Sequence, residues 1–154
     1  MSAFERLAPF IKDYIYREKW DNLREIQVVA CDVLFNTDKN LLLASGTASG
    51  KTEAAFLPVL TKLYENPAAS VGVLYISPLK ALINDQFLRL SGLLEESGIR
   101  VTKWHGDASL SEKNKLLKNP QGIIQTTPES LEAMLMRRKT EVIRLFTDLR
   151  FVNQ

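Results

Sequence analysis

Short β-branched or Leu-rich runs alternate with longer amphipathic segments along this chain, and no other feature constrains the fold as much. Leu41 to Ala44, Val71 to Ile76, Arg100 to Trp104, Gly122 to Gln125 and Leu149 to Val152 read as strands. Residues 9 to 18 put Phe10, Ile11, Tyr14 and Ile15 on one helical face, and Pro9 suits a first turn. Residues 22 to 35 do the same with Leu23, Ile26, Ala30, Val33 and Leu34, and Asn22 and Glu25 have capping-box spacing. Residues 51 to 64 return to helix spacing through Phe56, Leu60 and Leu63. Leu79, Leu82, Ile83, Leu90, Leu93 and Leu94 mark a long helix that Gly98 ends. Ser109 and Glu112 cap a short helix before Asn119-Pro120. Pro128 to Met136 and Glu141 to Phe146 are helical. Strand alternating with helix dictates an α/β fold: a three-layer parallel sheet with helices on both faces and right-handed crossovers. Ligands of such sheets sit beyond the carboxyl ends of the strands.

With 154 residues the chain is expected to form one domain. Hydrophobic residues at 45% and charged residues at 25% exclude collagen-like, disordered and disulfide-rich classes. The net charge of +2 is too weak a field to argue for nucleic acid by itself. The single cysteine, Cys31, excludes an internal disulfide, and the single histidine, His105, excludes a histidine metal cluster. Apolar runs are too short to span a bilayer, and the charged first twenty residues are not a signal peptide. A cytoplasmic domain with no membrane partner is expected.

The first strand-to-helix handover reads Ser45-Gly46-Thr47-Ala48-Ser49-Gly50-Lys51-Thr52. Small residues let the backbone turn tightly and aim successive N–H groups inward, a nest for phosphate oxygens at a helix start. Lys51 would bring a cation to the β- and γ-phosphates, and Thr52 a hydroxyl to Mg²⁺. Ser45 stands where the strict pattern has glycine. The bland alternative is a strand-to-helix turn with no ligand.

Two further handovers share a plan. Ser77-Pro78 and Thr127-Pro128 each offer a hydroxyl to cap a helix and a proline for its first position. With Lys80 and Arg137 nearby, such helix starts suit the phosphates of a nucleic-acid backbone. Gln27 lies on an apolar helix face between Leu23 and Ala30, where its carboxamide either pairs with an adenine edge or bonds to backbone. His105, before Gly106-Asp107, falls on the ligand-facing edge. Lys113, Lys115 and Lys118 read as a solvated helix face, and Trp20 and Trp104 as packing residues.

These motifs, in this order, resemble the superfamily 2 helicases of the DEAD/DEAH-box group. The run Ala44 to Glu53 is similar to motif I, in which alanine commonly stands at the position of Ser45. Ser77-Pro78-Leu79-Lys80-Ala81-Leu82 is similar to motif Ia, Thr127-Pro128-Glu129-Ser130 to motif Ib, and His105-Gly106-Asp107 to the glycine segment between them. Leu23-Arg24 and Gln27 sit where a Q-motif-like element would. The branch most similar is the DExH, Lhr-like group. The resemblance implies a RecA-like P-loop fold over residues 21–154, after a helical extension at 1–20. It implies ATP and Mg²⁺ as cofactors, held by Thr47, Ala48, Ser49, Gly50, Lys51, Thr52 and Glu53, with Thr52 on the metal and Gln27 on adenine. Lys51 and Thr52 would be the catalytic pair. Ser77, Pro78, Leu79, Lys80, His105, Gly106, Thr127, Pro128 and Glu129 would grip single-stranded or duplex nucleic acid, RNA or DNA. A second RecA-like domain is expected in the full-length protein.

The resemblance also implies an Asp-Glu pair after the fifth strand, but Phe151-Val152 runs into Asn153-Gln154. The sheet is therefore expected to be incomplete at its carboxyl end, truncated before that motif. These residues alone are expected to bind nucleotide weakly and turn it over negligibly, because phosphoryl transfer depends on positioned charge. The intact protein would couple ATP hydrolysis to strand translocation or unwinding. The competing readings are a binding module without turnover and a P-loop kinase of small molecules.

Overall fold

The structure, a computed structural model, describes residues 1–44 and 51–154. The chain forms two compact units, Met1–Asn66 and Pro67–Gln154. The first unit is helical: α1 (Ala3–Arg6), α2 (Pro9–Arg17), α3 (Glu25–Asn36) and α4 (Lys51–Glu65). Helix α4 buries Ala54, Phe56, Leu57, Leu60 and Leu63 and packs along α3, which buries Ala30 and Cys31. Pro58 inside α4 removes one backbone donor. The Thr61 hydroxyl donates to the Leu57 carbonyl and accepts the Ala8 N–H at 3.1 Å, which ties the start of α2 to this helix.

Two expectations fail in this unit. Leu41 to Ala44 belongs to no sheet, and Leu42 is 91% exposed. An apolar run becomes a strand only where a neighbour completes its backbone ladder. Helix α3 begins at Glu25, so Asn22 and Glu25 form no capping box; Gln27 instead accepts the Arg24 N–H at 2.9 Å.

The second unit holds a four-stranded, all-parallel sheet: β1 (Val71–Ile76), β2 (Val101–Trp104), β3 (Gly122–Thr126) and β4 (Phe151–Asn153), in the order β2-β3-β1-β4. Helices α5 (Lys80–Leu94), α6 (Leu110–Lys118), α7 (Pro128–Arg137) and α8 (Lys139–Leu145) connect the strands. The step from β1 to β2 runs in one direction across the sheet, and the next two steps run back. Right-handed crossovers then require α5 on one face and α6 to α8 on the other. The core obeys this: Leu74, Trp104 and Ile124 pack with Leu116, Met134 and Leu145 of those three helices. A register slip between Val71 and Val73 inserts Gly72 as an extra residue, so Val71 joins the Leu74 face. The apolar reading of β1 and β3 as buried on both faces holds.

At the amino-terminal end of the sheet, Asp148 accepts from the Ala69 N–H at 2.7 Å and from Arg150 at 3.0 Å. The Arg150 hydrogen bond, then the Ala69 amide, hold its carboxyl below the usual carboxylate range. These contacts fix the start of β4 beside β1. Among the described residues, no helix is long and apolar enough to cross a membrane.

Candidate functional site

Each unit carries one half of the expected site residues. In the first unit, Lys51, Thr52 and Glu53 are the opening residues of α4, each partly exposed. The first N–H groups of a helix have no partner within it, and its dipole presents positive charge there. An ammonium and a hydroxyl join that field at this end of α4. Thr47, Ala48, Ser49 and Gly50 lie outside the described residues. Gln27 is 2% exposed, and its Oε1 is engaged by the Arg24 N–H. A carboxamide oxygen has two lone pairs, so one remains for another donor.

In the second unit the strand exits are in register. Ile76, Thr126 and Trp104 pair across β1, β3 and β2, so Ser77, Thr127 and His105 leave the sheet side by side at its carboxyl edge. The ladder extends one bond further, from the Ser77 N–H to the Thr126 carbonyl at 2.9 Å. The Thr126 hydroxyl donates to the Trp104 carbonyl at 2.6 Å and joins the β3 and β2 exits.

The two hydroxyl-proline handovers are not alike. Thr127 caps α7: its Oγ1 accepts the Ser130 N–H at 3.2 Å, and Pro128 takes the first helical position. Glu129, in that first turn, is exposed and acidic where the dipole favours acid. Ser77 caps nothing. Helix α5 starts at Lys80 with an extended Leu79 before it and no side-chain cap, and the Ser77 hydroxyl donates to Gln86 at 2.9 Å. Proline pushes its predecessor away from helical angles. Here Leu79 is extended as well, so the helix starts two residues past Pro78. We expect Thr127→Ala to cost about 1 kcal/mol in urea unfolding and Thr127→Ser to restore most of it.

His105 is 4% exposed. Its Nδ1 accepts the Asp107 N–H at 3.2 Å, while the buried Nε2 has no hydrogen-bond partner among the described residues. Burial, the largest influence, pushes the imidazole below its ordinary pKa, so it is neutral at pH 7. The Gln125 amide is also buried, with neither end partnered among the described residues. Lys113 does not belong to a solvated face: it is half-buried, donates to the His105 carbonyl at 2.7 Å and lies 5.5 Å from the Trp104 ring centre. Burial lowers its pKa. Lys80 is exposed and pairs with Asp107 at 3.0 Å. The reading of Trp104 as a packing residue holds. Asp107 and Lys113 carry no sequence signal of their contacts, because both pairings bridge separate elements.

The family model "DEAD/DEAH box helicase" matches residues 24–152. A DExH-box ATP-dependent RNA helicase, DExH12 of Arabidopsis thaliana, is 36% identical over 126 residues, covering 81% of this chain and 6% of that protein. An ATP-dependent helicase Lhr-Core of Saccharolobus solfataricus is 36% identical over 140 residues, covering 82% of this chain and 16% of the relative. Helicase Lhr of Mycobacterium smegmatis, solved with single-stranded DNA and AMP-PNP, superposes with a TM-score of 0.79 at 29% identity, covering 99% of this chain and 20% of that one. The DUF1998 helicase MrfA bound to DNA gives 0.83 at 28% identity, covering 96% and 21%. The chain thus spans about a fifth or less of the length of each of these relatives.

Proposed function

Since the chain belongs to the DEAD/DEAH box helicase family, we propose that it is the ATP-binding, nucleic-acid-gripping module of an ATP-dependent helicase. Its fold is the RecA-like α/β fold of its structural relatives. The observation that carries the reading is the pairing of Lys51 with Thr52 as the first two residues of a fifteen-residue helix. That donor set fits a triphosphate: helix-start amides, an ammonium and a hydroxyl at one helix end. Among the described residues there is no cluster of three or more His, Cys, Asp or Glu. Thr52 would hold Mg²⁺ through its hydroxyl, and an ion that keeps several waters suits a site with few protein ligands. Bound ATP would supply the phosphoryl group whose transfer drives the intact motor.

The binding roles fall to residues of this chain. Lys51 would hold the β- and γ-phosphates. Gln27 would read adenine with its carboxamide. In the second unit, Ser77 to Lys80, His105 with Gly106, and Thr127 to Glu129 would face the strand of nucleic acid, with Lys80 supplying cationic charge. A second RecA-like domain would complete the intact protein, and these 154 residues alone would turn ATP over negligibly. The Arabidopsis and Saccharolobus relatives are helicases, which favours this reading over a small-molecule kinase.

The test is binding of a fluorescein-labelled dT oligonucleotide of about 20 nucleotides over a range of salt. The expected result is an affinity that falls linearly on a log–log plot, with a slope of about −0.7 for each phosphate neutralised. Binding with no salt dependence, or none at low salt, contradicts the nucleic-acid half of the proposal.

A further inference from the structure

The structure brings a carboxylate to the one place where the proposed nucleic-acid edge needs free positive charge. Lys80 opens α5, just past the exit of β1, and Asp107 follows the exit of β2. These strands are not neighbours, because β3 lies between them. Lys80 Nζ nevertheless meets Asp107 Oδ2 at 3.0 Å, so the pair spans the exit of β3, where Thr127 starts α7. The ammonium also lies over Gly106, since a Cβ there would be 3.7 Å from Nζ.

The two partners are held differently. Asp107 sits in a braced turn: its N–H donates to His105 Nδ1, the Ala108 N–H donates to the His105 carbonyl at 3.1 Å, and Lys113 donates to that same oxygen. Lys80 reaches it on a long flexible stem. Both side chains remain open to solvent, at 50% and 77% exposure, so a ligand can approach either. The Lys80 hydrogen bond holds the Asp107 carboxyl below the usual carboxylate range, so it stays ionised at neutral pH.

We propose that Asp107 is a built-in competitor for nucleic-acid phosphate: it occupies Lys80 in the free protein and yields it when a phosphodiester arrives. A carboxylate oxygen and a phosphate oxygen offer the ammonium the same charge-assisted bond. An exposed pair is weak, so the exchange costs little. Asp107 thereby lowers affinity for any polyanion while leaving the edge able to bind. This inference rests on the nucleic-acid reading of the strand exits and adds an attenuator to it.

The experiment is a double-mutant cycle in the full chain, with Asp107→Asn, Lys80→Met and the pair, read by binding of the same labelled dT oligonucleotide. Circular dichroism checks that each variant keeps its fold. Asp107→Asn should tighten binding about threefold to fivefold, the worth of one exposed ion pair. Its salt slope should stay that of the parent, because Lys80 meets a phosphate in both complexes, whereas Lys80→Met should flatten the slope by about 0.7. In the Lys80→Met background, Asp107→Asn should change affinity by less than about twofold. Equal tightening in both backgrounds would overturn the proposal, because Asp107 would then act by general repulsion and not through Lys80. Failure of all four proteins to bind would overturn the nucleic-acid reading itself, and the competitor with it.

Discussion

Gly122→Ala should lower the stability of the second unit by about 3–5 kcal/mol, in the range reserved for backbone strain and core disruption. Gly122 opens β3 with φ at +74°, a region that costs an L-residue about 1–2 kcal/mol. Space makes the cost larger. A Cβ on Gly122 would collide with the backbone carbonyl of Arg100, which lies at the head of β2. That oxygen accepts the Ile123 N–H at 2.9 Å, so the group the methyl displaces is also a partner of the β3 backbone. Ile123 and Ile124 follow directly, both fully buried in a strand with neighbours on each side. Gly98→Ala is the internal control. Gly98 has almost the same φ, +75°, but nothing within 4 Å of its built Cβ. It should cost only the backbone term. Urea unfolding of the two variants separates strain from crowding, and equal losses would contradict the close approach of β2 and β3.

The sheet was legible in the sequence because its strands carry their own signal. Val71 to Ile76 is a nearly continuous apolar run, and Gly122 to Gln125 carries the β-branched pair Ile123-Ile124 just after Asn119-Pro120, patterns that a buried parallel strand favours. Leu41 to Ala44 shows the limit. It too is a continuous apolar run, but pairing is a property of the neighbour, and Leu42 lies exposed. Helix starts show a second limit. Ser77-Pro78 and Thr127-Pro128 are equivalent as text, and only the second caps a helix. What decides between them is whether the residue after proline turns, and Leu79 stays extended. Lys113 marks a third limit. Its spacing fits a solvated helix face, while the fold sets it against the His105 carbonyl and the Trp104 ring. Long-range partners of a lysine leave no local pattern to read. The residues proposed for the site were read from motif order, and those of the second unit sit at the exits of β1, β2 and β3.

Lys51→Ala should weaken binding of Mg-ATP by about 10–100-fold. A hydrogen bond to a charged group is worth roughly 1.5–3 kcal/mol, and each 1.4 kcal/mol is tenfold. Loss of fold would not be the cause. Alanine is the best helix former, and the buried side of α4, from Ala54 through Phe56, Leu57 and Leu60 to Leu63, is untouched. The far-ultraviolet dichroism and the urea midpoint should therefore match those of the parent chain. Lys51→Arg should recover only part of the affinity, because a planar fork does not replace a compact ammonium. The decisive measurement is calorimetric titration of Mg-ATP into the parent and Lys51→Ala proteins. Saturable heat from the parent and little from the variant is the outcome expected of a nucleotide-driven module. Indistinguishable titrations would contradict the assignment of Lys51, and with it the account of this chain as the ATP-binding half of a helicase motor.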